Sequence, residues 1–282
     1  LLFEKARAKI NLTLDVLHKR SDGYHEVEMV MQTVDFCDYI SLQSTTTGKV
    51  SIRSNALYIP HDERNLAFRA AQVLRTHMGI REGVVIDIDK RIPVAAGLAG
   101  GSADAAAVLR GLNQLWNLGL SVEELCAIGA EVGSDVPFCV VGGTAIVRGR
   151  GENIEPLAVR PAFWVVLAKP PLAVSTAEIY AALDVTRVQS HPHPEVMARA
   201  LAQGDLGAVA GAAGNVLEEV TIGLYPEIAR LKTQIERLGS SVTLMSGSGP
   251  TVFALFEREQ RARRVFNTLR RTMKEVYLCQ TC

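Results

Sequence analysis

In the segment KINLTLDVL, Ile10, Leu12, Leu14 and Val16 share one face while Lys9, Asn11, Thr13 and Asp15 share the other. A period of two predicts a strand with one face buried and one in water. Shorter runs at Val27–Val34 and Tyr39–Leu42, and GVVIDIDK over Gly83–Lys90, read as further strands. The period changes to that of a helix in NLAFRAAQVLRTHMG, which begins at Asn65 and stops on Gly79, a residue suited to the left-handed helix end. SVEELCAIGAEVG opens on Ser121 with Glu124 three places on, and STAEIYAALD repeats the pair as Ser175 and Glu178. That spacing predicts a reciprocal cap at a helix start.

The second half continues with a strand at Phe163–Ala168 and helices out to Leu238. A strand in VTLMSG, a glycine turn, a strand in TVFALF and a final helix follow. Strands alternate with helices in both halves, so the chain is mixed α and β. The polar, turn-rich stretch GRGENIEPLAVRP places a soft boundary near Arg150–Pro161, giving expected domains at 1–155 and 156–282. The basic segment EREQRARRVFNTLRRTMK carries an apolar stripe of Ala262, Val265, Phe266, Leu269 and Met273, which predicts a solvated helix packed on a core.

Composition narrows the partners. The chain has 282 residues, 48% hydrophobic, with 30 basic and 30 acidic side chains. With no net charge, nucleic acid and anionic membranes are not expected partners, and a bound anion must be held by a local site. No apolar run approaches the ~20 residues of a membrane span. Five scattered cysteines and no signal-like apolar opening point to a reducing cytoplasm. The terminal CQTC has the spacing of half a zinc site but no second pair, and is expected to be an inert tail. His191 and His193 in HPHP are expected in a loop without a role.

The stretch IPVAAGLAGGSADAAAVLRGLN, from Ile92, runs from a glycine-rich loop into a helix of small residues. Such a loop either makes a tight strand-to-helix connection or lets a phosphate approach main-chain amides at the positive end of the helix dipole. Ser102 is expected to cap that helix or to touch a phosphate or its metal. The Walker A and dinucleotide-binding patterns are both absent.

Four segments together decide between these readings: AKINLTLDVLHKRSDGYHEVEMVMQTVDFCD, IPVAAGLAGGSADAA, GSDVPFC and SGSGPTVFALF. Their order and spacing over nearly the whole chain resemble the GHMP kinase superfamily. RSDGYHE resembles in particular its family acting on a methylerythritol that carries a cytidine diphosphate, in the non-mevalonate isoprenoid pathway. The resemblance implies an α+β, two-lobed fold with a ribosomal-protein-S5-like N-terminal lobe, a ferredoxin-like C-terminal lobe and the active site in their cleft.

The resemblance also implies roles. Asp135, in the turn GSDVPFC, is the expected general base, and Lys9 is the expected catalytic lysine. Asn11 faces the same way as Lys9 and is expected at the substrate. Tyr24, His25 and Tyr180 are expected to recognise cytosine, and Arg150 the diphosphate. Asn65, Leu66 and Lys90 are expected at the adenine of ATP. Its phosphates are expected along Pro93, Val94, Ala95, Ala96, Gly97, Leu98, Ala99, Gly100, Gly101, Ser102 and Ala103. Ala99 and Ala103 depart from the commoner GLGGGSS pattern, which restricts the loop and removes one hydroxyl.

ATP with Mg2+ is the expected cofactor set, the metal ligands are left open, and the chain is expected as a monomer or homodimer. Two rivals remain. One is another GHMP kinase acting on mevalonate, phosphomevalonate or homoserine, which Tyr24 and His25 argue against. The other is a silent nucleotide-binding homologue, which Lys9 and Asp135 together argue against.

Overall fold

A computed structural model describes residues 1–159 and 162–282. Its elements run in the order β1 (Leu2–Lys19), β2 (His25–Thr45), β3 (Val50–Ser54), α1 (Leu66–Met78), β4 (Gly83–Asp89), α2 (Gly100–Leu115), α3 (Val122–Val132), α4 (Val136–Val141), β5 (Thr144–Gly149), β6 (Asn153–Pro156) and β7 (Trp164–Ala168). There follow α5 (Thr176–Ala182), a 3₁₀ turn at Val185–Arg187, α6 (Pro194–Gln203), α7 (Leu206–Ala212), β8 (Gly214–Asn215), α8 (Leu217–Leu224), α9 (Pro226–Arg237), β9 (Val242–Met245), β10 (Val252–Phe256), α10 (Glu259–Leu269) and β11 (Val276–Gln280).

Two compact units form, each discontinuous in sequence. Unit one holds Leu1–Ala8, Cys37–Val94 and Ala99–Gly142; unit two holds Lys9–Phe36, Ala95–Leu98 and Gly143–Cys282. The boundary expected near Arg150–Pro161 ends on Arg160 and Pro161, which lie outside the described residues.

Unit one pairs β4 with β2 antiparallel and with β3 in parallel. Its core joins Ile40, Leu42, Ile86 and Ile88 from the sheet to Ala70 and Leu74 of α1 and to Ala105, Ala106 and Leu109 of α2. The small residues of α2 let that helix lie close to its neighbours. At Gly111 a Cβ would stand 2.4 Å from Leu42 Cδ1. Asn65 caps α1 by accepting from Ala67 N, and Gly79 ends it at φ 63°. The capping box of α3 is complete, with both the Ser121 and the Glu124 bonds formed.

Unit two pairs β2 with β5 and β5 with β6 antiparallel, and β1 with β8 in parallel. It also holds a separate antiparallel sheet in the order β11-β7-β10-β9. Taking β7 as first, that order is 4-1-3-2, the ferredoxin-like arrangement expected for the second half. Helix α10 buries Ala262, Val265 and Leu269 of its apolar stripe.

Four expectations are corrected. The polar face of β1 is not in water: Lys9, Asn11, Thr13 and Asp15 are as buried as the apolar face, because side chains of unit two cover it. The two short strand runs after His25 form one strand of 21 residues. GSDVPFC holds helix α4 as well as a turn, with Pro137 in its first turn. CQTC is built into the fold: Cys279 lies in β11, Thr281 bridges Val34, and Cys282 N donates to Thr33 O. At Ser175 one half of the expected pair is formed, Ser175 Oγ accepting from Glu178 N at 3.4 Å.

Candidate active site

In unit two, Lys9 and Asn11 point the same way from β1, and Lys9 Nζ donates to Asn11 Oδ1 at 2.6 Å. Asn11 in turn donates to Met29 Sδ. The tip of the glycine-rich loop, Ala95–Leu98, lies in the same unit, and Lys9 N donates to Leu98 O at 3.2 Å. The second glycine turn reaches this tip too. Ser246 Oγ donates to Gly97 O at 2.9 Å, and a Cβ on Gly97 would stand 2.1 Å from Ser246 O. A Cβ on Gly247 would stand 3.6 Å from Lys9 Nζ. Unit two thus gathers Lys9, Asn11 and two glycine-lined backbones, a group of small residues beside a cation that suits a phosphate.

RSDGYHE is the hairpin turn between β1 and β2. Arg20 N donates to Tyr24 O, Tyr24 N to Asp22 Oδ1, and Gly23 takes φ 87°. Arg20 also pairs with Asp22 and Glu26. The charged residues of the motif therefore brace the turn, leaving the aromatic ones to be presented. Tyr24 is exposed, with the Arg150 guanidinium 4.9 Å from its ring centre. The His25 and Tyr180 rings lie 5.2 Å apart, tilted by 38°. Burial, aided by the Lys19 charge, lowers the His25 pKa below its usual value, so the ring favours its neutral form.

Unit one holds the rest. Asp135 is half-buried immediately ahead of α4. Leu66, the first residue of α1, packs beside both glycine segments of this unit: a Cβ on Gly101 would stand 3.5 Å from its Cδ1, and one on Gly133 3.9 Å. Ser102 does not cap α2. The helix starts at Gly100 with Ala99 as its N-cap and no side-chain cap bond, so the half-buried Ser102 sits in the first turn instead. Pro93 and Ala103 are buried and Val94 is exposed.

Two expected adenine contacts have their polar atoms engaged. Asn65 Oδ1 accepts from Ala67 N and its Nδ2 donates to Pro60 O. Lys90, with a side chain 3% exposed, donates to Asp38 at 2.5 Å and Asp104 at 2.7 Å. Burial pushes the Asp104 carboxyl up to about 8; Lys90 pulls it back and Asp38 pushes it further. One ammonium cannot fully offset two buried carboxylates.

The chain matches the model of the GHMP kinases N terminal domain over residues 65–143 and that of the GHMP kinases C terminal domain over 197–275. It is 53% identical to the 4-diphosphocytidyl-2-C-methyl-D-erythritol kinase of Bacillus cytotoxicus, over 98% of this chain and 95% of that protein. The chain belongs to the 4-diphosphocytidyl-2-C-methyl-D-erythritol kinase family. The protein of that name in Bacillus cereus is 52% identical over the same shares. Among solved structures, a 4-(cytidine 5'-diphospho)-2C-methyl-D-erythritol kinase superposes with a TM-score of 0.85 at 33% identity, covering 99% of both chains. A homoserine kinase from Cytophaga hutchinsonii shares the fold, with a TM-score of 0.80 at 19% identity over 99% of this chain and 94% of that one.

For this kinase family member, sequence reasoning missed several residues that shape the site. Asp38 and Asp104 carry no role in the sequence reading, yet both hold Lys90. Asn215 holds the second glycine turn by donating to Met245 O and Gly247 O. His191 is not an idle loop residue: its Nδ1 lies 2.9 Å from both carboxylate oxygens of Asp15. The one available signal was Asp15 itself, a carboxylate on the same strand face as Lys9.

Proposed function

We propose that the chain transfers the γ-phosphoryl group of ATP to the 2-hydroxyl of 4-diphosphocytidyl-2-C-methyl-D-erythritol, giving the 2-phosphate and ADP. That the protein is an ATP-dependent small-molecule kinase follows from its family. The observation that carries the acceptor is the RSDGYHE hairpin, braced by Arg20 and presenting Tyr24, with His25 against Tyr180. A neutral imidazole can donate and accept hydrogen bonds at a base edge, while aromatic faces stack on the ring.

In this reading Asp135 accepts the proton of the 2-hydroxyl as its oxygen attacks the γ-phosphorus. The bond from that phosphorus to the bridging oxygen of ADP breaks, and ADP leaves with the bridging electrons. Lys9 offsets the negative charge spread over the transferring group, with Asn11 orienting the acceptor. The uncapped amides at the start of α2 and the narrow loop at Gly97 favour the phosphates along Pro93–Ala103. Asn65, Leu66 and Lys90 border the adenine, and Arg150 faces the diphosphate.

Mg2+ keeps several waters and needs only one or two protein oxygens when it travels with phosphates, a requirement the Ser102 hydroxyl fits. Bound there it would neutralise phosphate charge. Residues 1–155 would form the N-terminal domain that carries the ATP-binding loop, and 156–282 the C-terminal domain. Among the described residues no helix is long and apolar enough to cross a membrane, and a cytoplasmic monomer or homodimer completes the proposal.

The deciding experiment measures ATP-dependent ADP release with the cytidine substrate, mevalonate, phosphomevalonate and homoserine. Turnover confined to the first is expected; turnover of another acceptor overturns the role of Tyr24 and His25, and turnover of none favours a silent homologue. Asp135→Asn is expected to cut turnover by at least ~10²-fold while both substrates still bind. Near-normal turnover would remove Asp135 from its role.

A further inference from the structure

Asp38, Lys90 and Asp104 form a buried charge cluster within unit one. Lys90 lies just beyond β4, Asp38 in β2 and Asp104 in the first turns of α2. The Lys90 ammonium donates to one oxygen of each carboxylate. The other oxygen of Asp38 accepts from the main-chain amides of Arg91, at 2.5 Å, and Ile92, at 2.7 Å. These amides are the entry to the glycine-rich loop, and Asp104 stands just past its exit. Gly100 is fitted to the cluster: a Cβ there would stand 3.2 Å from Lys90 Nζ and 2.9 Å from Ile92 Cγ2.

A lysine buried between two buried carboxyl groups is a poor device for stability alone, because desolvation offsets most of the attraction. Their geometric effect is specific. One lysine joins the carboxylate that fixes the loop's first amides to the carboxylate on the helix that receives the loop.

We propose that Asp38, Lys90 and Asp104 are positioning residues that clamp both ends of the phosphate-binding loop, so that Lys90 serves ATP through the loop rather than by touching the base. The proposal rests on the loop being the ATP site, as put forward above. It assigns the lysine a role different from the adenine contact that the family resemblance implies. A loop held at both ends presents its amides with less ordering cost on binding, and a misplaced γ-phosphate slows transfer.

The test titrates ADP and inorganic tripolyphosphate, which has no base, into the unmodified protein, Asp104→Leu and Asp104→Asn, and follows amide hydrogen exchange over residues 91–102. Asp104→Leu leaves Lys90 and Asp38 as a balanced pair, so the fold is expected to persist, as thermal unfolding will report. Both ligands should weaken by a similar factor, ~10-fold or more, with faster exchange in the ligand-free loop. Asp104→Asn, which keeps an oxygen for Lys90, should restore most of the affinity.

Unchanged affinity and exchange in Asp104→Leu would overturn the clamp. So would a Lys90→Met change, alone or combined with Asp104→Leu, that weakens ADP but leaves tripolyphosphate binding intact, since that pattern marks a contact to the base. If ADP fails to slow exchange over 91–102 in the unmodified protein, the loop is not the ATP site and the clamp loses its purpose. Protection there, with Asp104→Leu behaving as the unmodified protein, overturns the clamp alone.

Discussion

The two glycine-rich segments meet at Gly97 and Ser246, yet they use glycine differently. In the first loop the left-handed region is occupied by Ala95 at φ 50°, Gly97 at φ 72° and Ala99 at φ 55°. In the second turn it is occupied only by glycines, Gly247 at φ 58° and Gly249 at φ 85°. Alanine pays for that conformation with ~1–2 kcal/mol, and the first loop tolerates it where the side chain is exposed or half-buried. At Gly97 no side chain fits, because another backbone passes through the place a Cβ would take. The lesson is that close approach, more than φ, decides which glycines are indispensable.

This comparison is sharpest at Gly97. Gly97→Ala puts a methyl 2.1 Å from a carbonyl that cannot rotate away, so a stability loss of about 3 kcal/mol is expected from combined overpacking and φ strain. Denaturant unfolding would measure it, and a loss under about 1 kcal/mol would break the distinction. Gly249→Ala meets the Met245 side chain at 2.6 Å, which can shift, so the φ term of ~1–2 kcal/mol should dominate; a larger loss than at Gly97 would reverse the ranking.

Ser246→Ala removes the hydroxyl that donates to Gly97 O, and a loss of ~1 kcal/mol with a raised KM for ATP is expected. A raised KM for the cytidine substrate alone would separate this turn from the phosphate loop. The smallest effect belongs to Ala99→Gly. Relief of left-handed strain outweighs the extra freedom of the unfolded glycine, so a gain of about 0.5–1 kcal/mol is expected; a loss would mean that the methyl contributes packing.

Most elements were legible because their signals are local. The α1 cap at Asn65 and stop at Gly79, the Ser121–Glu124 box and the stripe of α10 depend on neighbours two to four residues apart. The burial of Lys9 and Asp15 was not legible, because it depends on chain more than 170 residues away: Asp15 meets His191, and the turn beside Lys9 includes Gly247. The last strand escaped for a similar reason. VYLCQ is too short for a clear period, and it is a strand because β7 lies antiparallel to it.

The sequence by itself determined the family, the mixed α and β class and the identity of the motif residues, since each is written in contiguous segments whose order is fixed by the chain. Only the tertiary structure decided that Ser102 is not a cap, that Gly97 must lack a side chain, and that Lys90 lies between two carboxylates. Those outcomes depend on distances between segments far apart in sequence, and no local pattern carries a distance.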